Sequence, residues 1–252
     1  MVRVWEVGSG RKVRRMEHGV EVESVSFSPD GRFLASGGRD RVVRVWEVES
    51  GREVQQMKHW ARVWSVSFSP DGRLLASGGG KLVRVWEVES GREVRWMEHG
   101  AEVRSVSFSP DGELLASGGF DGVVRVWEVE SGREVRRLGH GAGVGSVSFG
   151  PDGELLASGG GRVVRVWEVG SGREVRLLNH GEWVTSVSFS PDGELLASGD
   201  RNGFVRVWEV GSGREVRRMG HGVEVRSVSF SPDGRLLASG GQGGICIWRV
   251  NE

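Results

Sequence analysis

The sequence predicts an all-β repeat protein built from stacked four-stranded antiparallel sheets. The string V-S-F-[S/G]-P-D-G-x-x-L-A-S-G begins six times, at Val25, Val66, Val106, Val147, Val187 and Val228. A second string, close to V-R-V-W-E-V, occurs seven times, around Trp5, Trp46, Trp86, Trp127, Trp167, Trp208 and Trp248. The 3.6-residue periodicity of a helix does not appear, and a fixed period of about 40 residues is typical of a repeat architecture.

Residues 18–57 illustrate how one unit provides its four strands. Alternation over 22–27 predicts the first strand, and a Ser-Pro-Asp-Gly turn leads from it into the second at 33–36. The nearly apolar segment 42–48 predicts a third strand covered on both faces. The charged segment 53–57 predicts an outermost strand whose charges block edge-to-edge pairing. Because one sheet cannot bury two apolar faces alone, neighbouring units must stack on it.

The His, S-P-D-G, L-A-S-G and V-x-V-W strings, recurring in register, resemble the WD-repeat family over residues 2–250. The resemblance implies a β-propeller, in which four-stranded antiparallel blades surround a central channel. The family's Trp-Asp pair reads Trp-Glu in six copies and Trp-Arg at Trp248, and we expect these turn-proximal changes to leave the fold intact. We therefore predict one domain over residues 1–252 with six blades, near 19–57, 60–97, 101–138, 142–178, 182–219 and 223–250.

Successive tryptophans are alternately 41 and 40 residues apart, so an 81-residue unit of two blades repeats three times. This spacing predicts a pseudo-threefold ring. Copies this similar indicate an internal duplication that is recent, or deliberate design.

The resemblance also implies a hydrogen-bonded tetrad of His, Ser, Trp and Asp inside each blade. The Asp position, six residues before Trp, holds Asp in two blades only; elsewhere it holds Asn202, Gly80, Gly161 or Gln242. We therefore expect two full tetrads, formed by His18, Ser36, Asp40 and Trp46 and by His99, Ser117, Asp121 and Trp127.

The strand count is uneven, because there are seven third strands but six of each other kind. The resemblance implies that residues 11–17 supply the outer strand of the last blade, which leaves residues 1–7 as a surplus third-strand copy. Which terminal third strand completes the closing blade stays open at this point. We expect a monomer, although a spare strand can also pair with another molecule and give a strand-exchanged oligomer.

The six copies differ mainly just after each histidine and in the loop before the third strand, which strand direction places at one end of the blades. Aromatic and arginine side chains dominate binding hot spots. Our partner-binding candidates are therefore Arg39, Trp60, Trp64, Arg104, Phe120, Trp183, Arg201 and Arg226. The competing interpretation is drift at positions where packing constrains the sequence least.

Composition and spacing exclude several other function classes. Six identical Ser and His sets argue for buried structural groups rather than a catalytic triad, and histidines 40 or 41 residues apart cannot converge on a metal. We expect no enzyme activity, cofactor or metal. Balanced charge, 34 basic against 34 acidic residues, gives no field for nucleic acid or an anionic membrane. A single cysteine, and repeat sequence already at residues 1–7 where a signal peptide would stand, favour the cytoplasm.

The leading functional hypothesis is a non-catalytic scaffold that presents the loop-bearing end of the ring to a protein or peptide. One alternative is an amplified or designed symmetric propeller with no selected partner. A second is binding of a small molecule or ion in the central channel.

Overall fold

The computed structural model describes residues 1–250, and this range contains 25 β-strands and no helix. The strands form a β-propeller of six blades, which confirms the predicted fold class. A short antiparallel pair at the N-terminus, β1 (Val2–Trp5) and β2 (Lys12–Met16), precedes the blades.

The first five blades are continuous four-stranded antiparallel sheets whose strands follow one another in chain order. Blade 1 contains β3 (Val22–Phe27), β4 (Phe33–Gly38), β5 (Val42–Glu47) and β6 (Glu53–Lys58). Blade 2 contains β7 (Ser65–Phe68), β8 (Leu74–Gly79), β9 (Leu82–Glu87) and β10 (Glu93–Glu98). Blade 3 contains β11 (Val103–Phe108), β12 (Leu114–Gly119), β13 (Val123–Glu128) and β14 (Glu134–Gly139).

Blade 4 contains β15 (Val144–Phe149), β16 (Leu155–Gly160), β17 (Val163–Glu168) and β18 (Glu174–Asn179). Blade 5 contains β19 (Val184–Phe189), β20 (Leu195–Asp200), β21 (Phe204–Glu209) and β22 (Glu215–Gly220). Blade 6 contributes three paired strands, β23 (Val225–Phe230), β24 (Leu236–Gly241) and β25 (Gly244–Arg249).

Ser-Pro-Asp-Gly turns with side-chain hydrogen bonds join the first and second strands of five blades, and in blade 4 Gly150 takes the place of the serine. In blade 1, the Ser28 hydroxyl donates to the Asp30 carboxylate at 2.6 Å, and that carboxylate accepts the Arg32 backbone N–H at 3.0 Å. Gly31 follows with φ +70°, where a side chain would be strained. The turn chemistry read from the sequence is thus formed in three dimensions.

The core lies between the blades, where the third strand of one blade packs on the next. Val43 and Val45 of blade 1 share a buried cluster with Trp86 and Val88 of blade 2. The first strands are also linked, since the Val66 N–H donates to the Ser24 hydroxyl at 3.1 Å, and the equivalent bond recurs between each later pair of blades up to Val228 and Ser186. The five junctions between successive blades are therefore copies of one interface.

The sixth junction, between blades 6 and 1, differs. First strands pack in the series β3, β7, β11, β15, β19 and β23, and no comparable packing of β23 on β3 closes the series within residues 1–250. Val25 and Phe27 on β3 are accordingly 51% and 50% exposed, whereas Val66 and Phe68 are 5% and 7% exposed. The ring is open at this seam.

The expected latch, in which residues 11–17 complete the last blade, is not formed. β2 pairs with β1 and β25 pairs with β24, so both copies of the third strand are retained. The physical reason is that β1 occupies the edge of β2 that the latch would offer to β25. Residues 1–7 are therefore not displaced by the C-terminal copy, nor is that copy displaced by them.

The pair β1–β2 packs on blade 1 much as any blade packs on the next. Val2 and Met16 share a buried cluster with Leu34 and Trp46, and the Arg14 side chain donates to the Glu49 backbone carbonyl at 2.7 Å. Gln55 and Arg95 make the same kind of bond to the turns of blades 2 and 3. Residues 1–16 thus form the outer half of a further blade.

Candidate functional site

The variable loops meet at one end of the blades, where they surround a depression of about 360 Å³. All six blades contribute residues to it, because the turn between the second and third strands and the start of the first strand lie at this same end. The lining residues are Glu21, Glu23, Arg39, Arg62, Trp64, Arg104, Phe120, Gly145, Trp183, Thr185, Arg201, Glu224 and Arg226. We call this depression the channel mouth.

Trp64 is held between two guanidinium groups at the channel mouth. The Arg62 and Arg104 guanidinium carbons lie 3.5 and 3.3 Å from the centre of its ring, within the range of cation–π contacts. The indole Nε1–H donates to a Glu102 carboxylate oxygen at 2.8 Å. These contacts fix the ring, so its edge and the arginine donors are presented in a defined geometry.

A second arginine–aromatic pair lies on blade 5, where the Arg201 guanidinium is 5.0 Å from the Trp183 ring centre. Arg104 also reaches Phe120 of its own blade, at 4.9 Å. Flat aromatic faces next to planar guanidinium groups are suited to carboxylates beside apolar or aromatic side chains.

Glutamates at the rim pair with some of these arginines. Arg39 contacts Glu21 at 2.9 Å and Glu23 at 3.3 Å, and Arg62 also binds Glu23. Between the adjacent blades 5 and 6, Arg201 lies 3.7 Å from Glu224. Five arginines against three glutamates in the lining leave a surplus of two positive charges.

Arg104 is the most crowded of these cations. Burial lowers the pKa of its guanidinium, and the positive charges of Arg62 and Arg201 lower it further, whereas Glu102 and Glu23 act in the opposite direction. Partial desolvation of a cation beside like charges favours an added anion, which would relieve the repulsion.

Seven of the eight predicted contact residues line the channel mouth, and Trp60 is the exception. Trp60 is 78% exposed, and the Arg84 guanidinium carbon lies 5.8 Å from its ring centre. The remaining lining positions are also variable among the copies. Glu21, Glu23, Gly145, Thr185 and Glu224 were not selected because only arginine and aromatic residues were chosen. Arg62 meets that criterion and was missed.

The histidine networks lie beneath the loops, inside the blades. In blade 1, His18 Nδ1 lies 2.9 Å from the Ser36 hydroxyl and Nε2 lies 3.2 Å from Asp40, while Trp46 Nε1–H donates to Ser36 at 2.8 Å. These four side chains form one connected network.

Blade 3 is arranged differently from the tetrad expected there. Trp127 donates to Ser117 at 2.8 Å, but His99 Nδ1 accepts a hydrogen bond from Arg125 at 2.5 Å. Arg125 also binds Asp121 at 2.8 Å, so an arginine stands between the histidine and the acid. The expected tetrad is therefore split into two parts: the Trp127–Ser117 pair, and His99 linked through Arg125 to Asp121.

Blade 5 contains a full network that the sequence reasoning missed. His180 bonds to Ser198 at 2.8 Å and to Asp200 at 3.0 Å, and Trp208 donates to Ser198 at 2.8 Å. Asn202 had been assigned to the acidic position, which Asp200 takes instead from the end of β20. The available signal was the string L-A-S-G-D, where the other five copies read L-A-S-G-G.

A larger depression, about 830 Å³, lies between blades 1 and 2 at the opposite end, beside the Ser-Pro-Asp-Gly turns. Its lining is mostly the turn and strand-end sequence shared by all blades, including Arg32, Phe33, Glu47 and Asp71. Within residues 1–250, no group of three or more His, Cys, Asp or Glu side chains is arranged to hold a metal ion. The same range includes no helix that is long and apolar enough to cross a bilayer.

Comparison with known families gives one match, repeated along the chain. The sequence model of the WD domain, G-beta repeat family matches residues 10–47, 51–87, 92–128, 132–168, 172–209 and 213–249. Each matched segment runs from the fourth strand of one blade to the third strand of the next, and β1 lies outside all six. A search of curated proteins gives no significant match.

Proposed function

Because this chain belongs to the WD domain, G-beta repeat family, whose propellers generally act as protein-interaction scaffolds, we propose that it binds a protein or peptide at the channel mouth. WD-repeat propellers are typically non-catalytic, and we propose the same for this chain. The single observation that carries the site is Trp64 held between Arg62 and Arg104.

The charge balance supports an acidic segment as the ligand. The lining has two more arginines than glutamates, and Arg104 is partly desolvated with both Glu102 and the like charges of Arg62 and Arg201 nearby. Carboxylates of a bound segment would complete charge-assisted, bidentate hydrogen bonds with these guanidinium groups. Trp183 and Phe120 provide apolar surface for neighbouring side chains of the same segment.

The test uses fluorescence anisotropy with two labelled peptides of equal length, one rich in glutamate and tryptophan and one in which lysine replaces the glutamate. We expect the acidic peptide to bind more tightly and its affinity to fall with added salt. Replacing Trp64 and Arg104 together by alanine should weaken binding at least tenfold, about 1.4 kcal/mol.

Trp96→Arg is the matched control, because Trp96 is an exposed aromatic residue of the outer strand, where blades 1, 3 and 5 carry glutamine or arginine. It should leave binding unchanged. Equal affinity for the two peptides, or undiminished binding by the double variant, would count against the proposal.

The near-identity of the six copies favours a second hypothesis, a propeller amplified or designed without a selected partner. Its rim charges would then serve only one another, as Arg39 and Arg62 already do with Glu23. This hypothesis predicts that neither peptide binds the parent chain and that the double variant gives the same anisotropy as the parent.

A further inference from the structure

The last blade leaves one apolar face uncovered. Ile245 and Ile247 on β25 are 65% and 49% exposed, whereas Val43 and Val45, at the same positions of β5, are both fully buried against blade 2. At every internal junction this face packs on the following blade. Blade 6 has no following blade within residues 1–250, so its face is left uncovered.

The N-terminal pair leaves the complementary face uncovered. Trp5 is 44% exposed and Val7 is 67% exposed. Their counterparts in blade 2, Trp86 and Val88, are 5% and 8% exposed because Val43 and Val45 of the preceding blade pack on them. The missing neighbour of β1 is thus a blade presenting two aliphatic side chains from its third strand.

Ile245 and Ile247 have the position and the aliphatic character of the side chains that would cover Trp5 and Val7. Each isoleucine differs from the valine at that position by one methylene, a change that the open end of a two-stranded sheet can accept. The contact needed is the third-strand part of the interface that forms five times inside the chain, so no new packing geometry is required for it.

The chain's own ends do not make this contact. Blade 6 also cannot close onto blade 1 in the usual way, since β1–β2 already covers Leu34 and Trp46, the place that β25 would take. Both third strands keep their pairing partners, with four register pairs for β1 and six for β25.

We propose that blade 6 of one copy packs on the β1–β2 pair of a second copy, so that the series of stacked blades continues from one molecule into the next. The contact is head-to-tail, and both terminal strands stay in place. Such a heterologous interface gives a closed ring when its rotation closes and an open chain when it does not.

The experiment measures mass in solution by light scattering for the parent chain, Ile247→Glu, Trp5→Glu and an equimolar mixture of the two variants. The parent should have at least twice the 27.5 kDa mass of one chain as concentration rises. Each variant alone has lost one of the two faces and should be monomeric. The mixture should form dimers, because the intact Trp5 face of one variant meets the intact Ile247 face of the other.

Leu177→Arg is the control, since Leu177 is 47% exposed on an outer strand where blades 3 and 5 carry arginine. It should assemble like the parent. Far-UV circular dichroism and thermal melts test whether the variants are folded, which we expect because the three substituted positions are exposed. A monomeric parent at every concentration would overturn the proposal. So would a mixture that stays monomeric, since the two intact faces would then not bind each other.

Discussion

At the scale of residues, the buried histidines show how burial sets protonation. His18, His59, His99, His140 and His180 are at most 5% exposed. Burial lowers the pKa of each of them, and nearby arginines add to the effect, with Arg84 acting on His59. At neutral pH these five imidazole rings are therefore uncharged in the folded protein.

These shifts predict a loss of stability in weak acid. The pKa of His59 falls from 6.5 to about 4, so the unfolded chain binds more protons than the folded chain between these values. The stabilisation from the neutral His59 ring is complete above the pKa of this residue in the unfolded chain. It is lost as the pH falls toward its pKa in the folded chain. For His59 alone this amounts to about 2 kcal/mol between pH 7 and pH 5.

Urea unfolding at a series of pH values measures this slope. His59→Gln should make it shallower, because a neutral side chain then replaces one of the shifted groups. An unchanged slope in this variant would mean that His59 is not the source of the proton uptake.

Asp200 is the residue that distinguishes blade 5 from the other blades. Its carboxylate is 1% exposed, accepts the Phe204 backbone N–H at 2.9 Å and lies 3.0 Å from His180. Asp200→Ala should lower the free energy of unfolding by about 1–3 kcal/mol, because both partners lose a buried hydrogen bond.

Asn202→Ala is the comparison, since Asn202 is exposed and takes no part in that network. Chemical denaturation of the two variants should show a clear loss for Asp200 and little change for Asn202. A larger loss of stability for Asn202→Ala than for Asp200→Ala would instead support Asn202 as the residue at the acidic position.

At the scale of elements, the third strand anchors each blade through its tryptophan. Trp127 is 5% exposed, packs in the cluster formed by blades 2 and 3, and donates to Ser117. Its β13 strand has hydrogen-bonded neighbours on both sides, β12 and β14. The element therefore links its blade internally and attaches it to the preceding one.

Trp127→Ala should cost about 3–5 kcal/mol, because a large buried side chain leaves a cavity that the flanking sheets cannot fill. The denaturation midpoint measures the loss. Trp96→Ala, at a position 60% exposed, removes the same kind of side chain without a cavity and should change the midpoint little. Equal effects of the two substitutions would contradict the anchoring role.

At the scale of the whole molecule, the open seam is visible in one repeated glycine. A Cβ on Gly159 would lie 2.6 Å from Val184 Cγ1 of the next blade, and the equivalent Gly78 would be as close to Val103. A Cβ on Gly240 of blade 6 would meet nothing within 4 Å. The same residue is thus sterically required at closed junctions and free at the seam.

Gly159→Ala should therefore destabilise the protein by about 1–3 kcal/mol through overpacking, while Gly240→Ala should be neutral within about 0.5 kcal/mol. Thermal and urea unfolding of the two variants give the comparison. A ring closed between blades 6 and 1 would place the first strand of blade 1 over Gly240, and the two substitutions would then be equally damaging.

Local sequence was enough to predict the strands, turns and blades. Alternation, the Ser-Pro-Asp-Gly string and the tryptophan period are short-range signals that each copy repeats, so the all-β propeller followed from them. The variable positions also indicated the end of the ring where Trp64, Arg104 and Arg201 meet. The pseudo-threefold symmetry and the binding role of these residues stay predictions.

The tertiary structure decided what depends on competition between distant groups. Spacing alone assigned Asn202, yet Asp200 takes the hydrogen bond because the end of β20 brings it closer to His180. Strand counting showed one third strand too many but could not choose between β1 and β25, since both fit the same consensus. Only their three-dimensional neighbours show that each keeps its own partner and that the ring stays open between them.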